Sequence, residues 1–305
     1  STPTGPAPTT AAEVTDPIPG AAPAPTVPAL VTDDLNVTFG GISAVRGVSL
    51  SVAPGEIVGL IGPNGAGKTT LLDLISGFTA VDSGQIFLHG TDIFGLSPSS
   101  RARAGLGRSF QDARLFPGLT VTETVSTALE RWIEAGDPLS AALRLPAVQM
   151  TEAAVAQRVE ELLETFGLTT LRSSRVAELS TGSRRMVDLA CVVAHGPSLV
   201  LLDEPSSGIA QREAEALAPV LSGLRSTMGV TLVVIEHDIS LIASIADRLV
   251  ALDEGAVVTS GTPEEVLNHR AVVESYLGTS THTLKRSDHS NRTSTPEPTS
   301  PRGAS

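Results

Sequence analysis

Two short stretches of this chain have the residue types and spacing to bind and split a polyphosphate, and a third accompanies them. The first, Gly62-Pro63-Asn64-Gly65-Ala66-Gly67-Lys68-Thr69-Thr70, fits G-x-x-x-x-G-K-[ST] and follows the apolar run Ile57 to Ile61. Its glycines let successive N–H groups face phosphate oxygens, and a helix starting behind them adds partial positive charge. Lys68 is then expected to reach the β/γ-phosphates, and the Thr69 hydroxyl to ligate Mg²⁺. The plain alternative is a Gly-rich turn; the strand and helix patterns on either side argue against it.

The second stretch is Asp203-Glu204, which ends the apolar run Leu199-Val200-Leu201-Leu202. Such a run reads as a central parallel strand buried on both faces, so the two acids emerge at its C-terminal end. There Asp203 can hold Mg²⁺ through water, and Glu204 can polarise an attacking water as general base. A further strand, Thr231-Leu232-Val233-Val234-Ile235, ends in Glu236-His237-Asp238, and His237 can hydrogen-bond a γ-phosphate. The third stretch, Leu179-Ser180-Thr181-Gly182-Ser183, is a small-residue loop feeding a helix from about Arg184, upstream of the acidic pair.

Together these motifs resemble the nucleotide-binding subunit of ATP-binding cassette (ABC) proteins, with matches running from about Leu30 to Gly278. The resemblance implies an α/β P-loop NTPase fold: a RecA-like parallel sheet core, an antiparallel β subdomain and an inserted helical subdomain. It also implies ATP and Mg²⁺ as cofactors and ATP hydrolysis as the activity. Gln111 matches the glutamine loop, which senses Mg²⁺ and the nucleophilic water. Phe39 matches the aromatic position that stacks on adenine, and His237 the switch histidine. Ser180 and Gly182 match the positions that offer a hydroxyl and a backbone N–H to the γ-phosphate of a neighbouring subunit. The chain departs from the family at Thr181 and Ser183, which replace the first Gly and the Gln of L-S-G-G-Q, and at Ala210, which replaces the D-loop Asp. These departures bear on how tightly two ATP sites communicate.

Phe39-Gly40-Gly41, the segment Arg108-Ser109-Phe110-Gln111 with Arg114-Leu115-Phe116, and the ending Val272 to Gly278 look like the ATPases of branched-chain amino acid importers. That resemblance implies a peripheral protein on the cytoplasmic face of the cell membrane. Its expected partners are transmembrane permease subunits or a fused permease domain, a second ATP-binding subunit in a homo- or heterodimer, and indirectly an external solute-binding protein. Arg114 to Phe116 are candidates for the permease contact. Urea, amides or another small solute stay open as cargo. A non-transport ABC ATPase is disfavoured, since no coiled-coil insertion, zinc-binding cysteine set or tandem cassette is present. A G protein is excluded by the missing Asn-Lys-x-Asp motif.

The elements that must position these residues follow from hydrophobic patterning. An antiparallel portion is expected at Leu30 to Phe39, Val48 to Val52 and Gln85 to His89. Parallel strands are expected at 57–61, 199–202 and 231–235, with last β elements at Arg248 to Leu252 and Ala256 to Thr259. A helical subdomain should occupy about 112–190, mostly helical between Leu119 and Glu178. Its stripe Val155, Val159, Leu162 and Phe166 recurs at helical spacing.

The cassette is assigned to 29–278, long enough for a large buried sheet in a chain of 305 residues. The flanks, 1–28 rich in Pro, Ala and Thr and 279–305 rich in Ser and Thr, read as disordered tails or linkers. The first of them would suit a spacer behind a fused permease domain. A formal net charge of −12 with no basic stripe excludes nucleic acid as the expected partner. No apolar run is long enough to span a bilayer. The single cysteine, Cys191, reads as a small core residue. His89, His195 and His269 lack partners at metal-ligand spacing, and Trp132 reads as helical packing.

Overall fold

The structure is a computed structural model that describes residues 27–110, 115–129, 146–209 and 211–275. Gln111, Arg114, Trp132, Ala210, Tyr276 to Gly278, the first tail up to residue 26 and the whole of the second tail lie outside the described residues. In chain order the elements are β1 (Leu30–Phe39), β2 (Ile42–Val52), β3 (Ile57–Ile61), α1 (Lys68–Ser76), β4 (Ser83–Leu88), β5 (Thr91–Asp92), α2 (Pro98–Arg103) and β6 (Leu106–Arg108). There follow α3 (Val121–Leu129), α4 (Pro146–Thr165), α5 (Thr181–Ala194), β7 (Leu199–Asp203), α6 (Gln211–Met228), β8 (Thr231–Ile235), α7 (Ile239–Ile245), β9 (Arg248–Asp253), β10 (Ala256–Gly261) and α8 (Pro263–Leu267).

A four-stranded antiparallel sheet runs β2-β1-β4-β5, and a six-stranded sheet runs β10-β9-β3-β8-β7-β6. In the second sheet β9, β3, β8, β7 and β6 are mutually parallel, and only β10 is antiparallel. The central strands β3, β7 and β8 are buried at every residue, which is why they read as unbroken apolar runs. Their side chains still divide by the two-residue period of a strand. Ile57, Ile61, Val200, Leu202, Leu232 and Val234 face one core, with α3 to α7. Val58, Leu60, Leu199, Leu201, Val233 and Ile235 face the other, with α1 and the antiparallel sheet.

Between β6 and β7 the chain builds its helical region. Val159, Leu162 and Phe166 are buried and Val155 is partly buried, so the predicted stripe is the face that docks α4. Each fully buried side chain of this kind stabilises the fold by roughly 1.5–3 kcal/mol, enough for three or four of them to hold a helix of weak intrinsic amphipathicity.

Three of the differences from the expectations have a clear physical cause. β2 begins at Ile42, because the Gly40-Gly41 turn, with both residues at positive φ, closes a hairpin directly onto β1. The short strand β6 has no counterpart in the sequence reading: a leucine, a glycine and an arginine give no periodicity, and its place is set by parallel pairing to β7. The helix expected from about Arg184 starts at Thr181, since Ser180 is its N-cap and accepts from the Ser183 N–H at 3.1 Å.

Candidate active site

The turn between β3 and α1 has a shape only small residues allow. At Gly62, φ is +148°, and a Cβ there would lie 2.1 Å from the Leu252 carbonyl oxygen. At Gly67, φ is +92°, and a Cβ would lie 2.4 Å from the Ala44 carbonyl oxygen. The loop is therefore clamped between β9 and the β1–β2 layer, a clamp reinforced where the Gly255 N–H donates to the Ala66 carbonyl at 3.1 Å. It encloses a cavity of about 180 Å³ lined by Ala44, residues 64–70, Glu204 and His237.

Into this loop Lys68 folds back: its Nζ donates to the carbonyls of Gly62 at 2.7 Å and Pro63 at 3.0 Å. Burial lowers the Lys68 pKa, and the carboxylates of Glu204 and Asp203 oppose that shift. A phosphate would meet an ammonium already desolvated and held by weak acceptors that it can replace.

The acids arrive from β7 as the sequence demands. Asp203 is buried, with Oδ1 3.4 Å from the Thr69 Oγ1. Its Oδ2 lies 3.4 Å from Nη2 of Arg108, which also donates to Asp73 Oδ1 at 2.8 Å. Burial raises the Asp203 pKa, with Arg108 as the main opposing charge. A hydroxyl beside a carboxylate is a set of hard oxygen donors, and it suits a magnesium ion that keeps most of its waters and shares the phosphates. Among the described residues, no group of three or more His, Cys, Asp or Glu could hold a metal by itself.

Glu204 follows with φ at +47°, a left-handed turn that swings its side chain away from the strand axis. Its N–H donates to the Ile235 carbonyl at 2.9 Å, and its Oε1 lies 2.8 Å from Nε2 of His237. A non-glycine residue in that region stores strain, and such residues concentrate at functional sites. Glu236, buried and next to His237, accepts from the Ser206 N–H and hydroxyl at 2.8 Å each and from the His237 N–H at 3.0 Å. It ties the turn after β7 to the turn after β8.

Not every expected residue converges on this cavity. Phe39, at the end of β1, is 51% exposed and outside the cavity lining. Ser180 and Gly182 also lie outside the lining, at the start of α5. There the Ser180 hydroxyl donates to Glu213 Oε1 at 2.6 Å. The connection from α5 to the site runs through Arg185, which is buried and donates to the carbonyls of Phe110 at 2.7 Å and Glu204 at 3.3 Å.

A second cavity, about 350 Å³, opens between α2, β6 and α5, lined by residues that include Phe78, Ala102, Arg108, Phe110, Asp188 and Cys191. Phe78 and Phe110 meet edge to face with centroids 5.2 Å apart at its rim. Cys191, expected in the core, is half in this wall, and burial pushes its thiol up to about 12, which disfavours the thiolate. His89, left without a role in the sequence, bonds Ser198 Oγ at 2.7 Å. Arg108, Arg185, Glu213 and Glu236 are the polar residues that sequence reasoning missed. Their only local signal is a charge placed inside or beside an apolar run.

The ABC transporter family model matches residues 45–207, and a model described as branched-chain amino acid ATP-binding cassette transporter matches 256–282. The chain is 36% identical over 249 residues to the high-affinity branched-chain amino acid transport ATP-binding protein BraF of Pseudomonas aeruginosa, covering 82% of this chain and 97% of that one. It is 35% identical over 249 residues to the corresponding LivG protein of Escherichia coli, with the same coverage. Among solved structures, the ADP conformation of MJ1267, an ATP-binding cassette of an ABC transporter, superposes with a TM-score of 0.70 at 27% identity, covering 83% of this chain and 100% of the other. On the length of these matches, the chain belongs to the ATP-binding cassette family of ABC transporters.

Proposed function

We propose that this chain is the ATP-hydrolysing subunit of an importer for branched-chain or related hydrophobic amino acids, working as a head-to-tail pair at the cytoplasmic face of the membrane. The observation that carries the reading is the convergence of Lys68, Thr69, Glu204 and His237 on one phosphate-sized cavity, in a chain whose relatives over 82% of its length are branched-chain amino acid transport ATP-binding proteins.

ATP would lie with its phosphates on the N–H groups of residues 64–70 and its adenine toward Phe39. Lys68 exchanges its two backbone carbonyls for β- and γ-phosphate oxygens. Glu204 accepts a proton from water as that water attacks the γ-phosphorus and the bond to the ADP oxygen breaks; His237, whose Nε2 meets Glu204 Oε1 at 2.8 Å, turns its N–H from that carboxylate to the γ-phosphate. Thr69 and Asp203, with Gln111, would hold Mg²⁺, which neutralises charge on the phosphates when bound. Catalysis on this scheme is positioning and electrostatics, with no covalent intermediate. Ser180 and Gly182 serve the neighbour's γ-phosphate, in keeping with their position outside their own chain's cavity.

The cavity rimmed by Phe78 and Phe110 is the proposed seat of a permease helix. It is walled by Phe110, which precedes Gln111 in the sequence, and by Arg108, whose guanidinium contacts Asp203. The functional unit is the cassette 29–278, and an external solute-binding protein would deliver the cargo.

The test combines chemistry and cargo. In cells lacking the chain, uptake of radiolabelled leucine, isoleucine and valine is lost and the wild-type chain restores it. Glu204→Gln binds ATP with near-normal affinity, hydrolyses it at least about a hundredfold more slowly, and restores nothing. Wild-type-like turnover by Glu204→Gln would refute the assignment of the base, and undiminished uptake in the deletion would refute the cargo.

A further inference from the structure

The Ser180 hydroxyl has one proton, and the 2.6 Å contact gives it to Glu213 Oε1 rather than to the Ser183 hydroxyl at 3.0 Å. The same glutamate packs flush on Gly182, where an added Cβ would lie 2.6 Å from Oε2 and 2.9 Å from the Glu213 Cβ. One carboxylate therefore covers both residues assigned to the neighbour's γ-phosphate. Glu213 stands in the first turn of α6, reached from Glu204 along the turn that Glu236 fastens through Ser206. It thus joins this chain's own catalytic strand to the loop that serves the other subunit.

We propose that Glu213 is an anionic gate on the signature loop: it holds Ser180 and Gly182 when no ATP is opposite them, and it must yield to the γ-phosphate when the two subunits close. This rests on the proposed trans role of Ser180 and Gly182. The argument is electrostatic and geometric. A γ-phosphate that accepts from the Ser180 hydroxyl competes with Glu213 for its only proton. A phosphate that approaches the Gly182 N–H enters the space beside a carboxylate of like charge. Pairing of subunits then costs the displacement of Glu213, and the displacement is felt at the start of α6, a turn away from the end of β7. With Ala at 210 in place of the usual acid, Glu213 supplies an alternative carboxylate linking the two sites.

The experiment uses the full chain with Glu204→Gln, so that ATP persists, and follows ATP-dependent self-association by sedimentation equilibrium with and without Glu213→Gln. Gln keeps the length and an acceptor for Ser180 but removes the charge. The expected result is a dimer Kd lowered about tenfold by Glu213→Gln, or pairing that appears only when it is present. A gain in affinity separates a gate from structural support, whose loss would weaken pairing. Equal pairing, weaker pairing, or none with either chain overturns the gate. Adding Ser180→Arg to the Glu213→Gln chain should abolish pairing. If that triple variant still pairs, the trans reading of Ser180 fails and takes the gate with it. If it does not pair but Glu213→Gln brings no gain, the gate alone fails.

Discussion

Asp188 shows how a single carboxylate can carry a pH signature. It lines the cavity beside α5, and burial pushes its pKa up to about 6 against the pull of Arg185, 3.7 Å away. The folded chain therefore binds this proton more tightly than the unfolded chain, so the group stabilises the fold at low pH. That contribution fades as the pH rises from its unfolded value through about 6. Asp188→Asn should accordingly raise stability at about pH 7.5 by on the order of 1–2 kcal/mol more than at about pH 4.5. Urea midpoints of the two chains at the two pH values check this, and a pH-independent difference would contradict it. The neighbouring Arg108 illustrates the opposite balance: its guanidinium is buried yet lies within 3.4 Å of two carboxylates, Asp73 and Asp203. Its attraction to Asp203 offsets part of the cost of placing that acid inside the protein.

At the scale of elements, α5 acts as a strut between the signature loop and the catalytic strand. Ser180 caps it, and Arg185, one turn in, reaches two carbonyls that belong to different segments. Arg185→Met should cost about 2–4 kcal/mol, because it takes a buried guanidinium away from the Phe110 carbonyl and from Asp188, while the Glu204 carbonyl keeps the Ser207 N–H at 3.0 Å. It should also lower ATP turnover more than ATP affinity, since the carbonyls it releases are those of Phe110 and Glu204. Chemical denaturation with nucleotide titration measures both, and equal losses in affinity and turnover would argue against the strut. Much of this scale was legible in the sequence. The phosphate loop, the strands β3, β7 and β8 and the α4 stripe announce themselves through local period and run length. What was not legible depends on distant partners: β6 exists because it pairs with β7, and Arg101, buried among the carbonyls of Leu74, Ile75, Phe94 and Leu96, looks in the sequence like any surface cation. The phosphate-site residues were readable because their chemistry is bound to one loop. Glu213 was not, because its meaning comes from a contact with Ser180 across 33 positions.

At the scale of the whole molecule, the exposed surface is informative where it is apolar. No described helix is long and apolar enough to cross a membrane. Phe78 is 55% exposed at the rim of the groove that Phe110 also lines. Phe78→Ser should change thermal stability by no more than about 0.5 kcal/mol, as expected for an exposed site. It should also abolish co-purification with the permease, which is read by pull-down from solubilised membranes; retained assembly would move the docking site elsewhere.

The placement of the helical region has a mechanical meaning. It leaves the six-stranded sheet from β6 and re-enters at β7, and these two strands lie side by side with Leu106 opposite Leu199. The strands are parallel, so the chain leaves at the C-terminal end of β6 and returns at the N-terminal end of β7. The helices α3 to α5 hold to the sheet by side-chain packing on Ile57, Val200 and Leu232, so a shift of those helices over that face leaves the ladder of β9, β3, β8 and β7 unbroken. The phosphate loop and both acids hang from that inner ladder, so a displacement of Ser180 and Gly182 with their helix would leave the phosphate cavity intact.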